Sequence, residues 1–191
     1  MEDPAGARAI EAMRQTPRAG YLPHALRASA DRDTPLALGG GATCSQPSTV
    51  VTMLALLDAQ PGDRVLDVGS GSGWTTAILA RLVGPAGRVW GVELLADLVR
   101  DSTLRLRRDA LAWAAIRQGT VGTLGLPDGA PYDRILVSAA ASQLPSALVA
   151  QLDEGAVMVL PVRDRLVRAE RTGDSVRAAE APGRYRFVPL L

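Results

Sequence analysis

The stretch Val65-Leu66-Asp67-Val68-Gly69-Ser70-Gly71-Ser72-Gly73-Trp74 decides the fold of this chain. Its apolar first half is typical of a buried parallel strand, and the glycines that follow form a turn. Beyond the turn, Ile78, Leu79 and Leu82 recur on one side of a predicted helix. A strand, a glycine turn and a helix in this order let a ligand approach the backbone at the amino end of the helix. The stretch therefore predicts a ligand-binding βα unit.

The spacing of the glycines separates two classes of ligand. A dinucleotide fingerprint needs a small residue at its sixth position, which is Trp74 counted from Gly69 and Thr76 counted from Gly71. The observed D-x-G-x-G-x-G pattern suits a nucleoside without a pyrophosphate, whose ribose hydroxyls would bind Glu93 at the end of the next strand. This combination resembles motif I and the second-strand acid of S-adenosylmethionine (SAM)-dependent methyltransferases. The alternative is a glycine turn that only closes a βα unit.

Length and charge limit the possible functions. The chain has 191 residues, 47% of them hydrophobic, which suits one globular domain with a sizeable core. The formal net charge is +1 with acids and bases interspersed, so we predict no nucleic-acid partner. The densest basic run, Arg105 to Arg108, is interpreted as a solvated helix face.

Cysteine and histidine each occur once, which excludes several kinds of site. Cys44 cannot form an intramolecular disulfide, and together with His24 it cannot complete a zinc set, so no metal is predicted. A Ser-His-Asp hydrolase would have to use His24, and the G-x-S-x-G elbow is absent. We expect a surface or capping role for His24 and a small buried packing role for Cys44.

No targeting or membrane segment is predicted. The acidic start, Met1 to Pro4, lacks the apolar segment of a signal peptide, and no apolar run approaches membrane-spanning length. We therefore expect a soluble cytoplasmic protein with no membrane partner, and we separately predict a monomer.

Predicted strands and helices alternate through the middle of the chain. The strands cover 65–68, 88–92, 113–118, 134–138 and 156–161, and the helices cover 74–83, 94–108 and 145–152. This alternation predicts a Rossmann-like α/β fold, with a mostly parallel central sheet and helices on both faces. Ligands bind at the carboxyl ends of such strands. The glycine loop, Glu93, the 120–125 loop and Ser138 should therefore share one rim.

The N-terminal part carries weaker signals. A short helix over 5–15 and an extended segment over 16–23 are followed by a polar turn at 31–35. The glycine-rich loop 38–47 then leads into a helix for which Ser45 is a plausible N-cap.

The C-terminal part predicts antiparallel structure. Residues 165–171 and 175–180 flank a turn and form a predicted hairpin, and 185–190 form a further strand-like piece. A single domain over 1–191 is expected, divided into an N-terminal segment with the substrate and cofactor loop (1–47), a SAM-binding core (48–161) and a C-terminal hairpin and strand (162–191).

Several further segments resemble one family, the protein-L-isoaspartate O-methyltransferases. In order, the segments are Thr16-Pro17-Arg18, Tyr21-Leu22-Pro23, Thr43-Cys44-Ser45-Gln46-Pro47, the Asp67–Gly73 stretch, Thr123-Leu124-Gly125, Ala130-Pro131-Tyr132-Asp133, Gln151-Leu152-Asp153-Glu154-Gly155 and Arg186-Phe187-Val188-Pro189-Leu190. The resemblance covers nearly the whole chain. Motif I alone would identify only a SAM enzyme, whereas T-x-S-Q-P and F-V-P-L are far more specific.

The resemblance implies methylation of the α-carboxylate of an L-isoaspartyl residue in a damaged protein or peptide. SAM would be the methyl donor and S-adenosyl-L-homocysteine (SAH) the product; the ester then cyclises to a succinimide, which hydrolyses partly back to aspartate. The active-site residue would be Ser45. The implied cofactor-binding residues are Ala42, Thr43, Cys44, Asp67, Gly69, Ser70, Gly71, Ser72, Gly73, Glu93, Leu94, Val121, Gly122 and Thr123.

The sequence departs from the family pattern in two loops. Thr120-Val121-Gly122 stands where the family has glycine-aspartate-glycine, so the acid that would bind the adenine amino group is missing. Gly40 replaces a histidine or glutamine, Ala42 a glutamine and Cys44 an isoleucine. The segment between the last parallel strand and the terminal strand is also short.

The chemistry implied by the resemblance needs little from side chains. A carboxylate is ionised at neutral pH and requires no general base. The remaining work is alignment, which can supply roughly 7–11 kcal/mol. Hydrogen-bond donors such as the Ser45 hydroxyl and backbone N–H groups would hold the substrate carboxylate.

Three alternatives stay open on the sequence alone. Relatives of the family methylate ordinary aspartate in ribosomally made peptides to form aspartimide, and the changes at Gly40, Ala42 and Cys44 permit this. Small-molecule O-methylation is a second alternative. A SAM-binding regulatory or scaffold protein without catalysis is the third, and the intact Ser45-Gln46-Pro47 segment argues against it.

Overall fold

The computed structural model describes residues 3–191. The helices are α1 (Pro4–Arg14), α2 (Pro47–Leu57), α3 (Trp74–Val83), α4 (Ala96–Arg108) and α5 (Ser146–Val149). The strands are β1 (Leu36–Gly39), β2 (Ala42–Cys44), β3 (Arg64–Val68), β4 (Arg88–Glu93), β5 (Ala114–Gln118), β6 (Tyr132–Val137), β7 (Leu152–Val162), β8 (Arg165–Thr172) and β9 (Ser175–Glu180). Short 3₁₀ helices cover Arg18–Tyr21, His24–Ser29 and Pro127–Gly129.

A central seven-stranded sheet has the order β5-β4-β3-β6-β7-β8-β9. The pairs from β5 through β7 are parallel, whereas β8 and β9 add antiparallel. β3 lies at the centre, with Val65 opposite Val89 on one side and opposite Arg134 on the other. Strands β1 and β2 form a separate antiparallel hairpin. The predicted Rossmann-like sheet with a C-terminal antiparallel hairpin is confirmed.

The core lies on both faces of this sheet because successive strand residues point to opposite sides. Val65 packs in a cluster with Leu54 of α2 and Leu79 of α3. Its neighbour Leu66 packs in a second cluster with Leu148 of α5. All of these side chains are fully or almost fully buried. The two clusters fix β3, and so fix the position at which its glycine loop begins.

Several predicted elements differ from the structure, and three of them differ in kind or end early. The helix expected over 145–152 stops at Val149, because the chain must pair with β6 through the Gln151 carbonyl, which accepts from Tyr132 N at 2.9 Å. The segment expected to be extended over 16–23 contains a 3₁₀ turn instead. The tail over 185–190 makes an isolated bridge between Pro189 and Ala140 rather than a strand.

Across residues 3–191, no helix combines the length and the apolar character needed to cross a membrane.

Candidate active site

The glycine loop between β3 and α3 has left-handed backbone conformations at its glycines. Gly71 has φ +52° and Gly73 has φ +82°, backbone angles that residues other than glycine rarely adopt. A Cβ on Gly73 would lie 2.8 Å from Ser102 Cβ of α4. The loop is tied to β4, because Gly69 N and Ser70 N both donate to the Val92 carbonyl, at 2.9 and 3.0 Å. The loop is thus held in one conformation at the carboxyl ends of two adjacent strands.

Glu93 ends β4 and faces this loop. Its carboxylate accepts from Gly71 N at 2.9 Å through Oε2, and from Leu94 N and Leu95 N at 2.7 and 2.9 Å through Oε1. The side chain is almost completely buried, yet it lines a cavity. Each carboxylate oxygen has about two acceptor positions, so Oε1 is filled by its two amides, whereas Oε2 can still accept a hydroxyl donor.

The cavity beside Glu93 has a volume of about 270 Å³. It is enclosed by the glycine loop, the start of the segment after β4, the turn between β1 and β2, the loop before Pro127 and the C-terminal tail. Its lining residues include the predicted residues Ala42, Thr43, Gly69, Gly71, Glu93, Leu94 and Thr123, and also Leu95, Leu124, Gly125, Ser138 and Val188–Leu191. A larger hollow of about 500 Å³ between α4 and β5 contains none of the predicted site residues.

A second, smaller hollow adjoins the cavity at the glycine loop, where Gly69 and Gly71 line both. It gathers the predicted residues Cys44, Ser45, Ser70 and Ser72, and it shares Thr43 with the cavity. Cys44 is buried, as expected, with its Sγ 3.8 Å from Ser72 Oγ. Cys44, Ser70 and Ser72 therefore lie behind the cavity wall, on its Ser45 side.

Asp67 lies beneath the glycine loop and does not line the cavity. It is fully buried, and its Oδ2 accepts from Thr75 Oγ1 at 2.9 Å and from Thr76 Oγ1 at 2.6 Å. Burial raises the pKa of Asp67 to about 6, against the lowering effect of the two threonine hydrogen bonds. Asp67 therefore holds the first turn of α3 against β3, and its effect on a ligand passes through the loop.

The loop after β5 reaches the cavity only at its end. Val121 is 79% exposed, and neither it nor Gly122 lines the cavity. Thr123 N donates to the Thr120 carbonyl at 3.0 Å, which closes a turn and directs Thr123 and Leu124 inward.

Ser45 stands between the small hollow and an open groove of about 460 Å³. The expected N-cap role of Ser45 is wrong: Gln46 occupies the cap position, and Asp33 Oδ1 accepts from Ser48 N at 2.9 Å instead. Within residues 3–191 the Ser45 hydroxyl makes no hydrogen bond, whereas its carbonyl accepts one from Arg18 at 2.9 Å. The hydroxyl is thus available to a ligand.

The groove beside Ser45 lies between the start of α2 and the C-terminal tail. Its lining residues are Pro35, Thr43, Ser45, Gln46, Ser48, Thr49, Thr52 and Arg184–Phe187. No sequence pattern indicated that Arg184 lines the groove or that the tail lines both the groove and the cavity, although the F-V-P-L motif lies in this tail. His24 is exposed at the start of a 3₁₀ helix and lines neither the cavity, the small hollow nor the groove. In the described part of the chain, no three His, Cys, Asp or Glu side chains are grouped to hold a metal ion.

A glycine loop after the central strand, facing an acid at the end of the next parallel strand, defines a SAM-dependent methyltransferase fold. A family model described as Protein-L-isoaspartate(D-aspartate) O-methyltransferase (PCMT) matches residues 5–191. The chain belongs to this family, which confirms the resemblance seen in the sequence.

Relatives match along most of their length. Protein-L-isoaspartate O-methyltransferases of Anaeromyxobacter dehalogenans and Methanopyrus kandleri are 44% and 42% identical; each match covers 96% of this chain and 88% or 83% of the relative. A solved Plasmodium falciparum structure, described as a putative protein-L-isoaspartate O-methyltransferase in complex with SAH, has a TM-score of 0.83 at 25% identity, covering 96% of this chain and 90% of that one. Another, of a protein-L-isoaspartate O-methyltransferase, has a TM-score of 0.85 at 24% identity; this chain spans 61% of its length, and the likeness supports the fold.

Replacing Glu93 by alanine should weaken SAH binding. The change removes an acceptor for ligand hydroxyls and also frees Gly71 N, so we expect a loss of about 1–3 kcal/mol, roughly 5- to 150-fold in Kd. Isothermal titration calorimetry with SAH measures this loss. Asp97→Ala removes an exposed acid from the first turn of α4 and serves as the control. An unchanged Kd for Glu93→Ala would remove Glu93 from the site.

Proposed function

We propose that this chain transfers the methyl group of SAM to the α-carboxylate of L-isoaspartyl residues in damaged proteins or peptides, which leads to succinimide formation and repair. Family membership over residues 5–191 supports this chemistry. The observation that carries the site assignment is the position of Ser45. Its uncommitted hydroxyl lies where the hollow behind the cofactor cavity meets a groove open to a peptide.

The cavity fits the nucleoside part of SAM. Glu93 offers its Oε2 for a ribose hydroxyl, and Leu94, Leu95 and Leu124 provide apolar surface for a flat base. The glycine at 71 leaves the backbone open to close approach. When bound, SAM supplies a methyl group whose carbon–sulfur bond breaks as a carbon–oxygen bond forms, which leaves SAH.

We assign Ser45 the task of holding the substrate carboxylate through its hydroxyl. The carboxylate is already ionised, so no side chain has to remove a proton. The transfer neutralises the carboxylate charge, and a cation bound directly to the reacting oxygen would stabilise the starting state more than the transition state. A neutral hydroxyl orients the oxygen with less of this penalty. The turn between β1 and β2 and the tail line the cavity, and with SAM bound they would limit the access of water to it.

The groove suits an extended peptide beside Ser45. Tyr185 and Phe187 pack against the core, whereas Arg184 and Arg186 alternate with them and are exposed. Arg184 is paired with Asp164, and Arg186 has no ion pair within the described residues. The Arg186 guanidinium is therefore the cation in the groove that remains for a carboxylate flanking the isoaspartyl residue.

Arg186→Gln should raise KM for isoaspartyl peptides that carry a flanking Asp or Glu, by about 3- to 10-fold, since exposed ion pairs and charged hydrogen bonds are worth up to this much. Matched peptides with flanking Asn or Gln should keep their KM. Arg177→Gln on β9, an exposed arginine outside the groove, is the control. Equal KM changes for both peptide sets would contradict the role of Arg186.

A paired-peptide assay tests the proposed function. The protein is incubated with methyl-labelled SAM and with peptides that differ only in containing isoaspartate or aspartate. Base-labile label on the isoaspartyl peptide alone supports repair, whereas label on the aspartyl peptide would support peptide tailoring. Absence of label on both, with SAH still bound, would indicate a binding protein. The cytoplasmic location, the monomeric state, the lack of a nucleic-acid partner and the division of the domain stay predictions.

A further inference from the structure

We propose that Arg18 is a positioning residue, which holds the backbone that carries Ser45 in its reactive place; this rests on the proposed function. Arg18 lies in the 3₁₀ turn after α1, far from Ser45 along the chain. Its side chain is nevertheless buried against residues 44 and 45, with an exposed fraction of 6%. Its guanidinium lines neither the cavity nor the groove, and it contacts backbone carbonyls instead.

The guanidinium collects carbonyls from two separate loops. Nη2 donates to the carbonyls of Cys44 at 3.0 Å and Ser45 at 2.9 Å, and Nε lies 3.5 Å from Cys44 Sγ. Three more hydrogen bonds go to the other of these loops: Nη1 donates to the carbonyls of Ala30 and Arg32 at 3.3 and 3.0 Å, and Nη2 also donates to that of Thr34 at 2.9 Å. A peptide group whose carbonyl is held this way cannot rotate, and so the backbone directions on both sides of Ser45 are fixed.

Among residues 3–191, Arg18 is a buried cation without an acidic partner. Within the described residues Arg18 has no carboxylate within ion-pair distance, and backbone carbonyl dipoles compensate the buried cation. A buried charge is costly unless its hydrogen bonds are satisfied. The five carbonyls must therefore keep converging on it. Arg18 thus acts as a rigid clamp on the loop rather than as a substrate ligand.

Arg18 also connects this loop to the cofactor side. Its guanidinium lies 5.4 Å from the ring centre of Trp74, the first residue of α3 after the glycine loop. The Trp74 indole donates to the Thr16 carbonyl at 2.8 Å, which fixes the segment from which Arg18 emerges. Through Trp74, the loop around Ser45 therefore keeps a fixed position relative to the glycine loop, which lines the cofactor cavity.

On the side of Glu93 and the glycine loop, the cofactor cavity is held by other bonds. Glu93 binds Gly71 N and the two amides that follow it in the chain, and Gly69 N binds Val92. None of these contacts uses Arg18. Weakening Arg18 should therefore displace Ser45 and leave the binding of SAH intact, a split that a general loss of stability would not produce.

Arg18→Lys is the test variant. Lysine keeps the charge but has three donors and no planar fork, so it cannot hold all the carbonyls together. We expect kcat on isoaspartyl peptide, normalised to the amount of SAH-binding protein, to fall about 30- to 100-fold, because a small misplacement of reacting groups costs about this much in rate. The Kd of SAH should stay within about threefold of the parent value. Arg81→Lys is the matched control, because Arg81 Nε donates to Thr16 Oγ1 at 3.0 Å without reaching residues 44 or 45.

Cys44 gives a second readout that needs no catalysis. It is the only cysteine, it is 3% exposed, and it neighbours Ser45. With SAH bound, an aromatic disulfide reagent should label Cys44 about tenfold faster or more in Arg18→Lys than in the parent or in Arg81→Lys, because local opening governs the reaction of a buried group.

The outcomes separate the two proposals. Lower kcat with retained SAH affinity and faster labelling supports positioning. Unchanged kcat and labelling, or a parallel loss of SAH affinity, would overturn it. If the parent methylates no peptide while Arg18→Lys still labels faster, the proposed function fails and the clamp on the loop stands.

Discussion

Gly71→Val is expected to abolish measurable SAH binding. Gly71 has φ +52°, lines the cavity and donates its N–H to Glu93 at 2.9 Å. A β-branched residue is strongly disfavoured in this left-handed conformation. A Cβ at this position would make only ordinary contacts at 3.7 Å, with Leu38 and Thr43. The two methyl groups of valine extend further and would enter the space of the ligand. Calorimetry should show Kd raised by more than about 100-fold, which is about 2.7 kcal/mol.

Backbone strain alone must be separated from loss of the ligand's space. Gly155→Val makes the same change at φ +69°, at a position with open space around it and outside the cavity. We expect this control to lose stability and to keep its SAH affinity. Retained affinity in Gly71→Val, within about tenfold of the parent, would contradict the placement of the cofactor against the glycine loop.

Ser45→Ala is expected to lower kcat/KM for isoaspartyl peptides by about 10- to 100-fold. The estimate is the net value of one hydrogen bond to a charged group, about 1.5–3 kcal/mol. SAH affinity should not change, because Ser45 does not line the cofactor cavity. Methyl transfer from labelled SAM measures the first quantity, and calorimetry measures the second.

Ser45→Thr keeps a hydroxyl at the same position and serves as the matched variant. We expect it to retain most of the activity that Ser45→Ala loses. An equal loss of turnover and SAH affinity in Ser45→Ala would mean that Ser45 supports the fold or the cofactor loop. Full activity in Ser45→Ala would leave backbone N–H groups as the donors that hold the carboxylate.

The sequence predicted the sheet and its rim because both depend on local patterns. The apolar run at 65–68, the glycines after it and Glu93 at the end of the next strand occur in β3, its loop and β4. Alternation of strands and helices, with glycine turns, was sufficient to predict that the central strands run parallel. It was also sufficient to place Ser138 on the rim, where it lines both the cavity and the small hollow.

Other features depend on contacts that no local pattern reveals. Asp67 belongs to the motif, yet the hydroxyls of Thr75 and Thr76 hold it beneath the loop. Ser45 looked like a helix cap, but Asp33 reaches the same helix from an earlier turn. The carbonyls that Arg18 gathers come from residues 30–34 and 44–45, and carbonyl groups have no side-chain signature. Such convergence follows from tertiary packing alone.

The tail shows why a strand-like pattern can mislead. Its aromatic and β-branched residues Tyr185, Phe187 and Val188 are typical of a strand, yet proline at 189 lacks the N–H of a continuous ladder. Leu190 N instead donates to the Ala140 carbonyl, and Ala140 N donates to the Val188 carbonyl, at 2.9 and 2.8 Å. These bonds anchor the tail beside the cavity, where Val188–Leu191 form part of the wall.

A crystal structure with SAH and an isoaspartyl peptide tests the central claim most directly. We expect the ribose of SAH at Glu93, and the isoaspartyl α-carboxylate within hydrogen-bond distance of the Ser45 hydroxyl, on the side toward the SAH sulfur. A peptide bound elsewhere, or SAH outside the cavity between the glycine loop and Leu95, would contradict it.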